Sequence, residues 1–561
     1  MSSLRINECI HWLWAASRGF RLSVVYCTLA GVFNVSVSLF FVFVCKHLID
    51  IATGVSDDSL GTYIGWMAGC MCAQLLLSVI RSRQSSRAEI RMRNGLHGKL
   101  FAHLMESQWN GRERFHTGDL LNRIEADTAS VTDTVCRTVP TVLVTIVQLG
   151  GALYFLSRLD MRLTGILIFI MPLAILFSKS YVRKMRRMSR EIRETDSRIQ
   201  SHMQENLQHC IIVRTLEYTR QAVEKLGTLQ TSLQGQVYRR TDFSAFSRSM
   251  VQIGFMTGYA VAFLWGVFGL SDGTVTFGMM AAFLQLVSQI QRPMVDMSRQ
   301  IPAFIRVFTA TERLAELTSL PLERQGKSVR LTGNLGIRIS HVRFSYPDSG
   351  REVLAGFSHD FRPGSLTAIV GETGVGKSTL IKLILALVQP KEGNIVIYNE
   401  QEEVTASPQT RCNLSYVPQG NTLFSGTIRD NLLIGNPNAT EADMRSALHT
   451  AVADFVFSLP DGLDTVCGEQ GMGLSEGQAQ RIAIARGLLR PGNILLLDEP
   501  SSALDGGTEH ELLKRLAAEV KDKTVVMITH REKIAGLCSE VVRMEELSLI
   551  ATYQYEKREK N

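Results

Sequence analysis

The sequence lacks the cysteine spacings of a zinc site or a disulfide framework. Its ten cysteines are Cys9, Cys27, Cys45, Cys70, Cys72, Cys136, Cys210, Cys412, Cys467 and Cys538, with no C-x-x-C and no Cys/His ligand pattern. That excludes a zinc module and a disulfide framework. Several lie in apolar runs, where a free cysteine behaves as a small hydrophobe. Strong charge of one sign is also missing. A net charge of +7 in 561 residues is too modest for a nucleic-acid surface, and no nucleic-acid partner is expected. Basic cytoplasmic loops of a membrane protein account for it better. No cleavable leader is expected, because the first apolar stretch is short and contains Trp12 and Trp14. Six apolar runs, near 22–45, 61–80, 138–157, 163–179, 250–270 and 277–291, lack ionisable side chains, apart from Lys179 at the end of the fourth. A proton-coupled carrier would place such groups in its spans, so the energy source is sought elsewhere.

What is present divides the chain into two halves. Hydrophobic residues make up 45% and charged residues 20% of the whole, at a mean hydropathy of +0.07. That average suits a membrane half joined to a soluble half. Most of the six runs are long enough to cross a hydrocarbon core of about 30 Å as helices. The last is the shortest and needs neighbouring residues to complete its crossing. Ahead of them, Ile6, Cys9, Ile10 and Leu13 recur at helical spacing. With the two tryptophans they read as a helix lying in the membrane interface, or equally as a core helix. No Lys or Arg occurs between Lys46 and Arg81 or between Arg248 and Arg292, whereas 81–128 and 183–249 are basic. These two segments, and both chain ends, are therefore expected in the cytoplasm of a multi-pass protein of the plasma (inner) membrane. Arg158 and Arg162, in a short external turn, run against the bias. Each long segment should reverse once, near Phe115–Leu121 and near Asn206–Thr215, with Ile211, Ile212, Val213 and Leu216 too apolar to stay uncovered. Polar residues inside the spans include Asn34, Gln74, Gln148, Gln252, Gln285 and Gln289, best suited to interhelical hydrogen bonds, with substrate lining as the alternative.

From residue 334 the pattern becomes α/β, with strand-like runs at 337–344, 366–370, 394–398, 414–417, 494–497, 524–529 and 541–544. The apolar run Leu366–Val370 leads into Gly371, Glu372, Thr373, Gly374, Val375, Gly376, Lys377 and Ser378, followed by the helical Thr379–Ile384. Strand, G-x-x-x-x-G-K-S loop and helix form a phosphate cradle: backbone N–H groups and the helix N-terminus face the phosphates. Lys377 reaches the β- and γ-phosphates, and the Ser378 hydroxyl binds Mg²⁺. A second motif, Ile494-Leu495-Leu496-Leu497-Asp498-Glu499, places two acids at the end of a buried strand. Asp498 suits Mg²⁺ through water and Glu499 suits activation of the attacking water. The alternative for such acids is a helix N-cap. A third element, Leu474-Ser475-Glu476-Gly477-Gln478, opens a helix and offers another anion site. One nucleotide rarely needs two such helix ends from one domain, so Ser475, Gly477 and Gln478 are expected to meet the nucleotide of a second chain.

Taken together, these motifs resemble the ATP-binding cassette transporters, of the exporter half-transporter type, over nearly the whole chain. The resemblance implies a six-helix transmembrane bundle followed by an α/β phosphate-loop domain, with ATP and Mg²⁺ as cofactors. It assigns Gly371–Ser378 to Walker A, Asp498 to Walker B and Glu499 to the catalytic base. It makes Gln419 a Mg²⁺ ligand facing the membrane domain, and His530 the switch that contacts the γ-phosphate. Tyr346 would stack on adenine, Ser502–Asp505 would act across the dimer, and Val466–Gly471, with Glu469, resembles an exporter-specific loop. Phe115–Asp127 resembles the region of the first coupling helix. Glu476 departs from the family's usual glycine: either its side chain points outward, or the chain pairs with a different half-transporter. Expected boundaries are a membrane domain over 1–315, a linker over 316–333, a cassette over 334–549 and a charged tail over 550–561. No peptidase domain is expected ahead of the first span. The expected function is ATP-driven export by a dimer, with an ATP-gated channel, a regulatory subunit or an importer as alternatives.

Overall fold

A computed structural model describes residues 6–109, 115, 117–159, 161, 164–165, 178–324, 326–346, 352–468, 473–520, 522–530 and 538–544. Most of the fourth apolar run, Glu469 and the C-terminal tail lie outside the described residues. The chain forms two compact units: Met1–Phe101 with Thr117–Thr318, and Ala102–His116 with Ser319–Asn561.

The first unit is helical. It contains α1 (Ile6–Ala16), α2 (Arg21–Ala52), α3 (Leu60–Glu106), α4 (Thr117–Leu159), α5 (Ser178–Gln208), α6 (Cys210–Thr215), α7 (Thr219–Ser271) and α8 (Phe277–Thr318). Among the described residues, α2, α3, α4 and α7 are long and apolar enough to cross a membrane. The run 277–291 does not reach that standard alone, and α8, which contains it, carries Pro293 and Pro302. Its core joins Val35 and Leu39 of α2, Val144 and Leu156 of α4, Ala262 of α7, and Phe283, Leu286 and Ile290 of α8. Each such side chain contributes about 1.5–3 kcal/mol on burial in water; inside a bilayer that term vanishes and close packing takes over. Gln148 and Gln289 make the interhelical bonds expected of them. Gln148 donates to the Gln289 carbonyl at 3.4 Å, and Gln289 donates to Ser38 at 3.2 Å. The Cys9 face of α1 is buried, and Trp12 donates to Thr318 at 3.3 Å, while Ile10 and Trp14 are exposed. Helices α5, α6 and α7 make the second expected reversal. There Ile211, Ile212 and Leu216 are exposed rather than covered.

Among the described residues, the second unit contains two large sheets and a two-stranded ladder. Strands β1 (Gly336–Ser345), β2 (Glu352–Phe361), β4 (Glu392–Tyr398) and β5 (Glu403–Thr405) form an antiparallel sheet in the order β2-β1-β4-β5. The sequence reading missed β2, whose residues do not alternate cleanly between polar and apolar. Strands β3 (Leu366–Gly371), β6 (Leu414–Val417), β9 (Ile494–Asp498), β10 (Thr524–Ile528) and β11 (Glu540–Met544) form a parallel sheet in the order β11-β3-β10-β9-β6. All residues of β9 and β10 are buried, as a central parallel strand covered on both faces requires. Strands β7 (Gly426–Thr427) and β8 (Val466–Cys467) make a small ladder. Helices α9 (Lys377–Ile384), α10 (Ile428–Gly435), α11 (Glu441–Thr450), α12 (Glu476–Leu489) and α13 (Gly506–Glu519) complete the unit. The end of α3 belongs here. Glu323 donates its N–H to the Glu106 carbonyl at 2.8 Å, and Gln108 donates to Pro321 at 2.9 Å. Arg411 then clamps Glu323 with two bonds of 2.7 and 2.8 Å.

Candidate functional site: a phosphate cradle with paired acids

The parallel sheet brings the carboxyl ends of β3, β9 and β10 side by side, where ligands bind in open α/β sheets. The loop after β3 needs two left-handed residues, met by Gly374 and Gly376 at φ +95° and +103°. A side chain at Gly376 would also strike Val353 and Leu354. The chain then enters α9, so the first N–H groups of that helix open onto the loop. Among Gly371, Glu372, Thr373, Gly374 and Val375, the three central residues are exposed, leaving the cradle open.

Lys377 is buried and folds back over the loop, donating to the Gly371 and Glu372 carbonyls at 2.8 and 2.7 Å. Burial pushes its ammonium below the usual lysine range, against the pull of Glu499 and Asp498. Tyr346 stands beside the same helix, its hydroxyl 3.3 Å from Thr379 and its ring under Lys382.

Asp498 lies at the end of β9. Burial raises its carboxyl above the ordinary range, and the hydroxyl of Ser378 opposes this by donating to it. The two residues expected to meet Mg²⁺ are therefore already neighbours. Tyr416 also bonds Asp498, and burial together with that carboxylate holds its phenol above the usual value. Among the described residues no group of three His, Cys, Asp or Glu side chains forms a resident metal site. One carboxylate, one hydroxyl and one amide oxygen suit a Mg²⁺ ion that arrives with phosphates and keeps its remaining waters.

Glu499 is the centre of the second half of the site. Its φ is +49°, a left-handed backbone that an L-residue adopts at a cost and that occurs disproportionately at functional positions. Its N–H donates to the Ile528 carbonyl at 3.1 Å, tying it to β10. His530 Nε2 lies 2.5 Å from one carboxylate oxygen, and Gln419 Nε2 donates to the other at 2.7 Å. Two residues from two other motifs thus converge on the carboxylate of Glu499. The N-cap alternative for these acids fails, because the next helix begins at Gly506 and is capped by Asp505.

The sequence reading missed Gln480. It is fully buried on α12 and donates to the Glu499 carbonyl at 2.9 Å. The available signal was an amide two residues past the signature, on the same helical run. Ser475 caps α12: its hydroxyl accepts from the Gln478 N–H at 3.2 Å, and the Gln478 side chain accepts from the Ser475 N–H at 2.8 Å. Gly477 is buried, and a side chain there would come within 2.7 Å of the Ala503 carbonyl. Ser475 and Glu476 are exposed, so Glu476 points away from the domain core.

Fold and site define a phosphate-loop ATPase joined to membrane-spanning helices. Residues 24–294 match the ABC transporter transmembrane region and residues 354–502 match the ABC transporter family. The chain belongs to the ATP-binding cassette transporters, as an exporter-type half-transporter with both parts fused. A multidrug resistance ABC transporter ATP-binding and permease protein of Lactococcus lactis (strain IL1403) is 28% identical over 419 residues, 74% of this chain and 71% of that protein. The ATP-dependent lipid A-core flippase of Photobacterium profundum is 26% identical over 538 residues, 92% of this chain and 90% of that protein. A bacterial Atm1-family ABC exporter with ATP bound shares the fold, with a TM-score of 0.76 over 94% of this chain and 95% of that one at 24% identity. The protein is therefore a multi-pass membrane ATPase that couples ATP hydrolysis to translocation, and its half-transporter architecture implies a dimer in a lipid bilayer.

Proposed function

We propose that the protein exports an amphipathic substrate across the plasma (inner) membrane by alternating access. Two cassettes sandwich two ATP molecules, and closure switches the membrane cavity from inward- to outward-facing. The observation that carries this reading is the convergence of Gln419 and His530 on Glu499, beside the Ser378–Asp498 pair. In the working site Ser378, Asp498 and Gln419 would hold Mg²⁺. Residues Gly371–Thr379 would cradle the phosphates, and Tyr346 would stack on adenine. Glu499 takes the proton of the attacking water, and His530 contacts the γ-phosphate. Ser475, Gly477 and Gln478 close the site from the second chain. Both termini and the cassette lie in the cytoplasm, with the membrane domain over 1–315, the linker over 316–333 and the cassette over 334–549.

A homodimer is the preferred assembly. Glu476 supports a second reading, since a carboxylate beside the γ-phosphate opposes it and a different partner could complete the stronger site. The purified chain decides: ATP hydrolysis by this chain alone supports the homodimer, and hydrolysis only after addition of a second half-transporter supports the other. Glu499→Gln should keep ATP binding and lose about 10²–10⁴-fold in turnover. Normal hydrolysis by that variant would remove Glu499 from its role. ATP-dependent accumulation inside inverted vesicles separates export from import and from channel gating.

A further inference from the structure

We infer that Arg411 is a positioning residue that ties the phosphate loop to the spanning helix α3 inside one chain, by a route separate from Gln419. This rests on the reading that ATP drives the membrane helices, and names a part that carries the movement.

The route starts at the nucleotide. Helix α9 opens at Lys377 on the phosphate loop and ends at Ile384. Leu380, Ile381, Leu383 and Ile384 are buried in one core, so a displacement of the loop moves the helix as a unit. At its far end Arg411 takes two carbonyls. Its Nε donates to Leu385 at 2.7 Å, and a terminal nitrogen donates to Ala386 at 2.9 Å. Carbonyls at the end of a helix find no partner within it and carry its negative pole, so a cation caps them well. Ala386 has φ +49°, a left-handed backbone that persists in a residue with a side chain only where the surroundings hold it.

Capping requires nothing more, yet Arg411 reaches further. Its two terminal nitrogens also take both oxygens of Glu323, at 2.7 and 2.8 Å. Bidentate pairing of this kind fixes orientation as well as distance. Both side chains are half-buried, so salt screens the pair less than an exposed one. Glu323 lies in the connection after α8, and that connection runs beside the end of α3. The Glu323 N–H donates to the Glu106 carbonyl at 2.8 Å, Ser107 and Leu322 form an antiparallel bridge, and His103 Nε2 lies 3.1 Å from the Leu320 carbonyl. Trp109, just past α3, packs against the same core as α9.

Each of these contacts lies within the second unit, while α3 itself is one helix from Leu60 to Glu106. Phosphate loop, α9, Arg411, Glu323 and α3 therefore form an unbroken series of contacts. A helix cap alone would leave Glu323 without a part in it. The functional reading requires that Glu323 carry the movement even when α9 stays capped, and that is the measurable difference between the two.

The test uses the full-length dimer in nanodiscs, with a spin label carried on p-acetylphenylalanine at Gly61 of each chain. That position lies at the end of α3 away from Glu106, and a side chain added there meets nothing within 4 Å. In the wild type, trapping ATP with vanadate should shift the distance between the two labels. Glu323→Gln should keep ATP hydrolysis and lose the shift, because α9 remains capped and only the linker is released. Arg411→Gln should lose the shift as well. Arg411→Lys, a point charge that serves the carbonyls or the carboxylate but not both, should recover part of it. A wild-type shift in either Gln variant overturns the proposal. Loss of hydrolysis together with the shift in Glu323→Gln also overturns it, since that marks a purely structural pair. Should Arg411→Gln fail to fold, Glu323→Gln decides alone. The wild type keeps the two readings apart: hydrolysis with no shift of the labels sinks the export reading, whereas a shift that survives Glu323→Gln sinks this inference only.

Discussion

Glu499 has three tethers: its N–H on β10, its carbonyl on Gln480, and its carboxylate on His530 and Gln419. The Gln480 tether acts only on position. Gln480→Leu should therefore lower kcat about tenfold, equivalent to one lost hydrogen bond of roughly 1.4 kcal/mol, while KM for ATP changes little. Steady-state kinetics read this split, and an equal rise in KM would assign Gln480 to nucleotide binding instead. Lys377 predicts a pH effect of definite sign. Its folded value lies below that of an ordinary lysine because of burial. Its charge, and with it phosphate affinity, is complete at low pH and is lost as pH rises through that lowered value. ATP binding should then take up protons as pH rises through that lowered value. Calorimetry in two buffers of different ionisation heat measures the uptake.

At the scale of elements, α12 has two duties that can be pulled apart. Its N-terminus is held by the reciprocal Ser475–Gln478 capping box, and it is also expected to face a phosphate. Serine and aspartate cap helices about equally well, and alanine costs about 1 kcal/mol. Ser475→Asp should therefore keep the melting temperature, whereas Ser475→Ala should lower it. Ser475→Asp should nevertheless abolish hydrolysis, because it sets a second carboxylate against the γ-phosphate. Retained activity would leave capping as the whole role of Ser475. In α4, two π-helical turns at Arg123–Asp127 and Thr134–Thr138 re-aim the helix. Arg123 spans from Asp119 at 2.9 Å to Glu316 of α8 at 2.6 Å. Nothing in local spacing announces those turns, since they depend on what α4 packs against.

At the scale of the whole molecule, the prediction concerns complementation. With composite sites in a two-fold dimer, each phosphate loop meets the partner's signature, and the contact is reciprocal. Chains bearing Lys377→Ala and chains bearing Ser475→Asp should each be inactive alone. In a mixed dimer both defects fall in one site and the other site is intact. Co-assembly should restore hydrolysis that neither parent shows. Failure of the mixture, with dimers verified by mass, would overturn the composite site. The exposed Ile211, Ile212 and Leu216 also belong to this scale, since a patch of that kind is normally covered in an assembled protein.

The nucleotide motifs were legible because a phosphate loop, a strand ending in acids and a capped signature helix are each set by local spacing. The apolar runs were legible because a bilayer demands about twenty such residues in a row. Tertiary structure decided the rest. Gln419 meets Glu499 across 80 residues, and the left-handed backbone of Glu499 is tied to β10 and to Gln480. Arg411 reaches both Glu323 and the end of α9 because the linker runs back beside α3. Sequence determines what each segment prefers by itself; which distant polar groups share a buried space is settled by packing.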